Sequence, residues 1–398
     1  MVSKKMTKNN LVRLLLLWWL TSCAVAQEQK PTVQQRFDAL IEQGLKDVPP
    51  PGISIGIVQN GKLVYARGFG AQMLGDPAQP VTPRTLFHMA SITKTFVATS
   101  VMQLWEEGKV DLDDPITKYV PYFRIDDTRY VKITVRQMLS HSSGMPDVED
   151  YEWNMPQYDD GALERYVRSL ARMKLKLLFD PGTSFAYSNM AYEVLGDLIA
   201  KVSGMTFEDY VEVKILRALR MKDSTLLLKK ADSALLAQGY TRPDNSEHAS
   251  LHQVAAYPFN RIHSPSSDLM SNITDMARWA VVNLNLGELD GKRILKRSTY
   301  DLMWKPAVDV VSCRDPQRKD CRKGSRQVGI SWFLQNHKGI NIIFHNGEDD
   351  GFITRLVLVP EVNMALIWMC NYDDEKETLT DKIEEEFFKL VKAASTRN

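Results

Sequence analysis

Strand-forming patterns lie near the two ends of this 398-residue chain, and helical patterns fill the long region between them. The segments 53–58 and 63–69 predict a hairpin, because the Asn60-Gly61 pair between them favours a tight turn. Four more strands are predicted in the last part of the chain, at 328–334, 340–345, 353–359 and 364–370. An amphipathic helix is predicted after them, at about 379–393. Because isolated strands cannot satisfy their backbone groups, the two sets of strands are expected to join in one antiparallel sheet.

The predicted fold class is therefore α+β, with an antiparallel β-sheet flanked by helices and a mainly helical domain inserted into it. We assign 27–100 and 325–398 to a discontinuous sheet domain and 101–324 to the inserted domain. Helical patterns in the inserted part cover 163–173, 191–202, 207–219 and 274–286.

Ser91-Ile92-Thr93-Lys94 is the single S-x-x-K sequence of the chain. Apolar residues recur behind it at helical spacing until Gly108, so Ser91 is predicted near a helix N-terminus. Residues three apart share a helix face, which places the Lys94 ammonium beside the Ser91 hydroxyl. Free backbone N–H groups at such a terminus favour an oxyanion, so Ser91 is a candidate nucleophile.

Two further motifs follow in order along the chain. Tyr187-Ser188-Asn189 comes after a turn sequence at 180–183 and is expected on an exposed loop. His345-Asn346-Gly347 ends an apolar strand pattern, whereas the similar sequence at 337–339 is expected to be the tip of a hairpin.

The ordered set S-x-x-K, Y-x-N and H-x-G resembles the signature of the serine β-lactamase and penicillin-binding-protein-like superfamily, in its class C branch. The resemblance runs from about Pro51 to the C-terminus, and the sequence at 139–144, LSHSSG, resembles the L-x-H-T-S-G turn of that family. The branch contains β-lactamases, D-alanyl-D-alanine carboxypeptidases, D-aminopeptidases and esterases. The resemblance implies the same fold and a hydrolase that forms an acyl-enzyme.

The resemblance also implies roles for individual residues. Ser91 would attack a carbonyl carbon, with either Tyr187 or Lys94 as the general base, and the sequence does not decide between these two. Asn189 would hydrogen bond to the substrate or to Lys94, and His345 stands where many relatives carry lysine. The backbone N–H groups of Ser91 and Glu348 would form the oxyanion hole. Together with Glu348, the predicted substrate-binding residues are Asn189, His345, Asn346 and Gly347.

Composition and other motifs narrow the remaining function classes. A formal net charge of +1 gives no support to nucleic acid as a partner. We expect no cofactor and no metal. The chain has no H-E-x-x-H or C-x-x-C sequence, and His248 and His252, although four residues apart, lie in a predicted polar loop. A second candidate nucleophile, Ser54 in the G-x-S-x-G match at 52–56, lies inside a predicted strand, whereas an α/β-hydrolase requires a helix directly after the serine.

The N-terminal 26 residues have the pattern of an export signal, in which basic residues precede a short apolar core. Ala24-Val25-Ala26 fits ordinary cleavage, whereas the sequence that ends in Cys23 resembles a bacterial lipobox and would leave a lipidated cysteine attached to a membrane. Both routes predict an exported protein, periplasmic or anchored to the cell envelope. In that oxidising compartment Cys313 and Cys321 are candidates for a disulfide, and Cys370 is expected to be a buried free thiol.

The substrate is expected to be a small ester, amide or peptide. Asn346 replaces a hydroxyl residue usual in class C β-lactamases, and Glu348, Asp349 and Asp350 follow on the rim that a substrate carboxylate would approach. Their charge favours neutral esters or substrates with a free ammonium, although the basic segment 314–326 could reverse this preference. A β-lactamase or D-alanyl-D-alanine carboxypeptidase is the alternative enzyme, and a non-catalytic protein that binds penicillin or cell-wall fragments is the alternative of another class.

Overall fold

The computed structural model describes residues 32–47, 51–75, 78–242, 251–311, 323–373 and 378–396. The predicted signal at 1–26 with Cys23, and the predicted pair Cys313 and Cys321, lie outside these residues. Within the described ranges, no helix combines the length and the apolar composition that a membrane crossing requires.

Nine strands in the described part of the chain form one antiparallel sheet. They are β1 (Gly52–Gln59), β2 (Lys62–Met73), β3 (Gln79–Pro80), β4 (Val308–Val311), β5 (Lys323–Val328), β6 (Phe333–His337), β7 (Ile340–Asp349), β8 (Phe352–Val359) and β9 (Met364–Cys370). Their spatial order is β4-β5-β6-β7-β8-β9-β1-β2-β3. Strands from the two ends of the chain thus join in one sheet, as the sequence predicts.

The two ends meet where β9 pairs with β1. Ile53 lies opposite Cys370 and Gln59 lies opposite Met364. All seven residues of β9 are buried, because helices cover both faces of the sheet. An uninterrupted apolar run is therefore the expected pattern for this strand.

Helices cover the sheet in two layers. The α-helices of the described residues are α1 (Val33–Asp47), α2 (Thr93–Glu106), α3 (Val135–Leu139), α4 (Ala162–Ser169), α5 (Asn189–Ser203), α6 (Phe207–Val211), α7 (Ile273–Leu284), α8 (Arg297–Met303) and α9 (Thr378–Ser395). The terminal helices α1 and α9 pack on one face, and their apolar residues share a core with the outer side chains of β1, β8 and β9. Helix α7 and the helical region pack on the other face.

The prediction of one continuous strand at 328–334 is wrong. Val328 ends β5 and Phe333 begins β6, and the residues between them form a turn in which Ser331 adopts a φ of 68°. Ile330 and Trp332 are nevertheless buried, and the amide of Ile330 donates to the carbonyl of Met303 at the end of α8. A buried turn therefore has the same apolar pattern as a buried strand. Strand β4 also joins the sheet, although the predicted boundary assigned it to the inserted region.

Candidate active site

Ser91 lies at the point where a short helical turn, Ala90–Ile92, leads into α2. Most of α2 is buried, because it packs against α5 and α6 and its Phe96 stacks on Trp279 of α7. Ala90 has a φ of 47°, a left-handed conformation that costs an L-residue roughly 1–2 kcal/mol. The backbone is thus strained directly before the candidate nucleophile, as is common at functional sites.

Lys94 is fully buried, one helical turn after Ser91. Its Nζ lies 2.8 Å from Ser91 Oγ and donates to the carbonyl oxygen of Ser266, also at 2.8 Å. Burial lowers the pKa of Lys94 to about 8, although nearby carboxylates, chiefly that of Glu193, oppose this change. A substantial fraction of Lys94 is therefore neutral near pH 8, where its amine can accept a proton.

Tyr187 and Asn189 lie at the N-terminal end of α5. The structure contradicts the expected exposed loop, because Ser188 is the buried N-cap of α5 and Asn189 is the first helical residue. Burial raises the pKa of the Tyr187 phenol well above its usual value, although the neighbouring Ser91 hydroxyl opposes this change. Tyr187 therefore faces Ser91 as a neutral hydroxyl at physiological pH.

His141 holds the Tyr187 segment in place. Its ring stacks on that of Tyr187, with 4.2 Å between the ring centres, and its Nδ1 accepts a hydrogen bond from the amide of Ser188 at 3.2 Å. Burial keeps the pKa of His141 well below its usual value, so the ring is neutral. The sequence of the turn at 139–144 did not predict that His141 contacts Tyr187 and Ser188.

Asp147 is another site residue that the sequence analysis missed. One of its oxygens accepts from the Asn189 backbone amide at 2.7 Å and from the Asn189 Nδ2 at 3.0 Å. This pairing fixes the orientation of the Asn189 carboxamide, whose oxygen remains as an acceptor for other partners. No short motif could indicate this contact, because the two residues are 42 positions apart.

Strand β7 carries the third motif and is tightly docked against the segment before Ser91. A Cβ atom on Gly347 would lie 2.2 Å from the carbonyl oxygen of Met89, so only glycine fits. Thr354 on the neighbouring strand β8 donates to the same carbonyl oxygen at 2.9 Å. The glycine of H-x-G is thus required by the close approach of two backbones.

His345 is buried and borders the cleft. Its Nδ1 lies 2.6 Å from the carbonyl oxygen of Asn346, and because a carbonyl can only accept, Nδ1 carries the proton. Burial lowers the pKa of His345 to about 3, so the ring is neutral and Nε2 is an acceptor. Nε2 is buried without a hydrogen-bond partner among the described residues.

The three acidic residues after Gly347 have separate surroundings. Glu348 is exposed and lines the cleft. Asp349 does not face the cleft, because its carboxylate binds His88 Nε2 at 2.8 Å. Asp350 lies at the exposed turn between β7 and β8 and is not part of the cleft lining. The expectation that all three acids meet the substrate is therefore wrong for Asp349 and Asp350.

The motif residues surround one cleft of about 270 Å³. Because β6 pairs with β7 only as far as Phe344, the following residues of β7 border this cleft. The lining residues are Ser91, Tyr151, Tyr187, Asn189, Arg326, Phe333, Phe344, His345, Asn346 and Glu348. The cleft thus combines candidate reacting groups, aromatic walls and two side chains of opposite charge.

One family model and several known proteins match this chain. The sequence model of the Beta-lactamase family matches residues 37–387. Protein flp of Staphylococcus aureus (strain MW2) is 29% identical over 346 residues, which cover 86% of this chain and 64% of that protein. The chain therefore spans less than two thirds of the length of this curated relative.

Two solved structures have similar folds. The octameric penicillin-binding protein homologue from Pyrococcus abyssi superposes with a TM-score of 0.69 and 26% identity, covering 84% of this chain and 73% of that chain. The D-amino acid amidase from Ochrobactrum anthropi SV3 superposes with a TM-score of 0.70 and 21% identity, covering 90% and 98%. At the lower identity the likeness concerns the fold alone.

Proposed function

Because the chain belongs to the beta-lactamase family, we propose that it is a serine hydrolase that cleaves ester or amide substrates through an acyl-enzyme at Ser91. The observation that carries this proposal is the 2.8 Å contact between Lys94 Nζ and Ser91 Oγ at the edge of the cleft. A hydroxyl held by a partly neutral amine is an activated nucleophile.

The pKa directions favour Lys94 over Tyr187 as the base. The neutral amine of Lys94 takes the Ser91 proton while Oγ bonds to the substrate carbonyl carbon. Tyr187 stays protonated, so its hydroxyl can pass a proton to the leaving group while it takes up the proton that Lys94 holds, and both groups return to their starting forms as the tetrahedral intermediate collapses. Water then attacks the acyl-enzyme carbonyl and regenerates Ser91. The backbone N–H groups of Ser91 and Glu348 are the proposed donors to the oxyanion.

The neutral ring of His345 affects which class of substrate the cleft can bind. The ring supplies no positive charge for a substrate carboxylate, and its buried Nε2 carries no proton to donate to one. Exposed Glu348 adds a negative charge to the same cleft. These two groups support an amide, an ester or an amine-bearing substrate.

We also propose export, either to the periplasm or as a lipoprotein, on the basis of the N-terminal sequence pattern.

Covalent labelling with a fluorophosphonate tests the proposal. We expect a single adduct, which peptide mass spectrometry should place on Ser91. The matched control is Ser54→Ala, since Ser54 is the serine of the other nucleophile motif and is fully buried in β1. That variant should label like the wild type, whereas Ser91→Ala should not. If the folded wild type takes no adduct and turns over no ester, the non-catalytic binding protein becomes the better explanation.

One observation favours a second candidate, a carboxypeptidase or β-lactamase that acts on anionic substrates. Arg326, from the basic segment noted in the sequence, lines the cleft and is exposed. Its Nε donates to Gln335 at 3.3 Å, and its guanidinium lies 5.6 Å from the ring centre of Phe344. A guanidinium at that position could bind the substrate carboxylate that Glu348 would repel.

Substitutions of opposite sign separate the two substrate classes. The measurement is the ratio of kcat/KM for nitrocefin, an anion, to kcat/KM for neutral p-nitrophenyl acetate. We expect Glu348→Gln to raise this ratio about three- to tenfold and Arg326→Gln to lower it by a similar factor, because both charges are exposed and partly screened. Added salt should shrink both effects. If Arg326→Gln leaves this kcat/KM ratio unchanged, the second candidate loses its support.

A further inference from the structure

A buried polar cluster lies beside the site without touching the cleft. His88 Nε2 lies 2.8 Å from Asp349 Oδ2 and 3.1 Å from Ser267 Oγ. Ser267 Oγ also donates to the same oxygen of Asp349. The side chains of His88 and Asp349 are 1% and 10% exposed, and Ser267 is buried. We refer to these three residues as the clamp.

The clamp joins three segments that each carry a functional group. His88 is three residues before Ser91, next to the short helical turn that carries the serine, and Asp349 directly follows Glu348 at the end of β7. Ser267 directly follows Ser266, whose carbonyl oxygen accepts from Lys94. One carboxylate therefore connects the nucleophile segment, the strand of the proposed oxyanion donor and the turn that holds the lysine.

The chemistry of the clamp makes it a strong connection. A carboxylate can only accept, so both His88 Nε2 and Ser267 Oγ donate to it, in hydrogen bonds that the charge strengthens. Removing the carboxylate would leave His88 Nε2 and Ser267 Oγ, which lie 3.1 Å apart, able to bond only to each other, so one of the two buried donors would lose its acceptor. None of the three side chains lines the cleft, so the clamp can act on the reaction only through the backbone that it holds.

The end of β7 needs such an anchor. Strand β6 flanks β7 only up to Phe344, so among the residues that the structure describes β8 is the single strand that pairs with residues 345–349. Gly347 touches the Met89 carbonyl, but this contact fixes the strand only on the N-terminal side of Glu348. An oxyanion donor must lie within about 2.7–3.1 Å of the developing charge, so a small displacement of this strand end is costly.

We propose that the clamp positions the backbone N–H of Glu348 relative to Ser91 and thereby sets the geometry of the oxyanion hole. This assignment rests on the hydrolase function proposed above. His88, Ser267 and Asp349 are then positioning residues, and they act more on the transition state than on the bound substrate.

The first test compares Asp349→Ala with Asp350→Ala, which alters the neighbouring exposed acid outside the cleft and the clamp. For p-nitrophenyl acetate we expect Asp349→Ala to lower kcat about ten- to hundredfold with KM within about threefold. Its affinity for a boronic acid that forms a tetrahedral adduct should fall by a similar factor. Asp350→Ala should stay within about twofold of wild type in both measurements. A kcat for Asp349→Ala equal to that of wild type would overturn the proposal.

A second pair of variants separates positioning from general loss of structure. His88→Gln keeps a donor near the place of Nε2 and should retain most of kcat, whereas His88→Leu cannot donate and should behave like Asp349→Ala. Equal activity of these two variants would contradict the proposal, because packing alone would then explain the role of His88.

Amide hydrogen exchange tests the clamp without any turnover. In Asp349→Ala, residues 345–349 should exchange faster than in wild type, while β9 stays protected. Unchanged protection of 345–349 would overturn the clamp even if the wild type is an active hydrolase. Faster exchange in a protein that hydrolyses nothing would instead support the clamp and leave only the proposed function refuted.

Discussion

Replacing Ser91 by alanine is expected to reduce ester hydrolysis at least about a thousandfold, because the variant lacks the oxygen that forms the acyl-enzyme. The side chain is small and half-buried, and Lys94 keeps its hydrogen bond to the Ser266 carbonyl, so the fold should persist. Initial rates with p-nitrophenyl acetate, together with the unfolding temperature of the same sample, measure both effects.

Ser54→Ala serves as the matched control for this experiment. Ser54 Oγ lies 3.4 Å from the carbonyl oxygen of Arg67 inside the sheet, so its loss should leave kcat unchanged. Activity of Ser91→Ala near the wild-type level, in a sample free of contaminating esterase, would show that another group is the nucleophile.

Replacing Lys94 by methionine is expected to lower kcat by about two to four orders of magnitude, since the proposed base is lost. Methionine has a similar length and no charge. Holding an ammonium in this buried position lowers its pKa from 10.5 to about 8, which corresponds to roughly 3 kcal/mol of unfavourable burial. The unfolding temperature of Lys94→Met should therefore not fall below that of wild type, while activity collapses.

The pH profile gives an independent check on Lys94. The amine must be neutral to accept the Ser91 proton, so wild-type kcat/KM should rise with pH through a midpoint near pH 8 and level off at higher pH. The exposed Lys109→Met should keep this profile. A wild-type profile that is flat between pH 6 and 9 would argue against Lys94 as the base.

The sequence predicts those parts of the site that depend on short-range geometry. The contact between Ser91 and Lys94 follows from helix periodicity alone. The hairpin tip at 337–339 also follows from local turn preferences, since β6 ends at His337 and β7 begins at Ile340. The joining of strands from both chain ends follows from the need to pair every strand.

Contacts between distant segments were not predictable in the same way. Asp147 reaches Asn189, and Asp349 reaches His88, only through the tertiary fold. The alternation of side chains along β7 did contain one usable signal, because it places Glu348 and Asp349 on opposite faces and excludes a shared approach to the cleft. The buried turn between β5 and β6 shows that an apolar run alone does not define a strand.

The pairing of β1 with β9 has a consequence for biosynthesis. The ribosome makes β9 more than three hundred residues after β1, an interval of roughly 15–60 s at ordinary rates of synthesis. During that time β1 has β2 on one side and an unpaired edge on the other, which is a site for aggregation. The sheet can therefore close only after β9 has emerged, and a nascent chain cut short before Met364 would keep the exposed edge permanently.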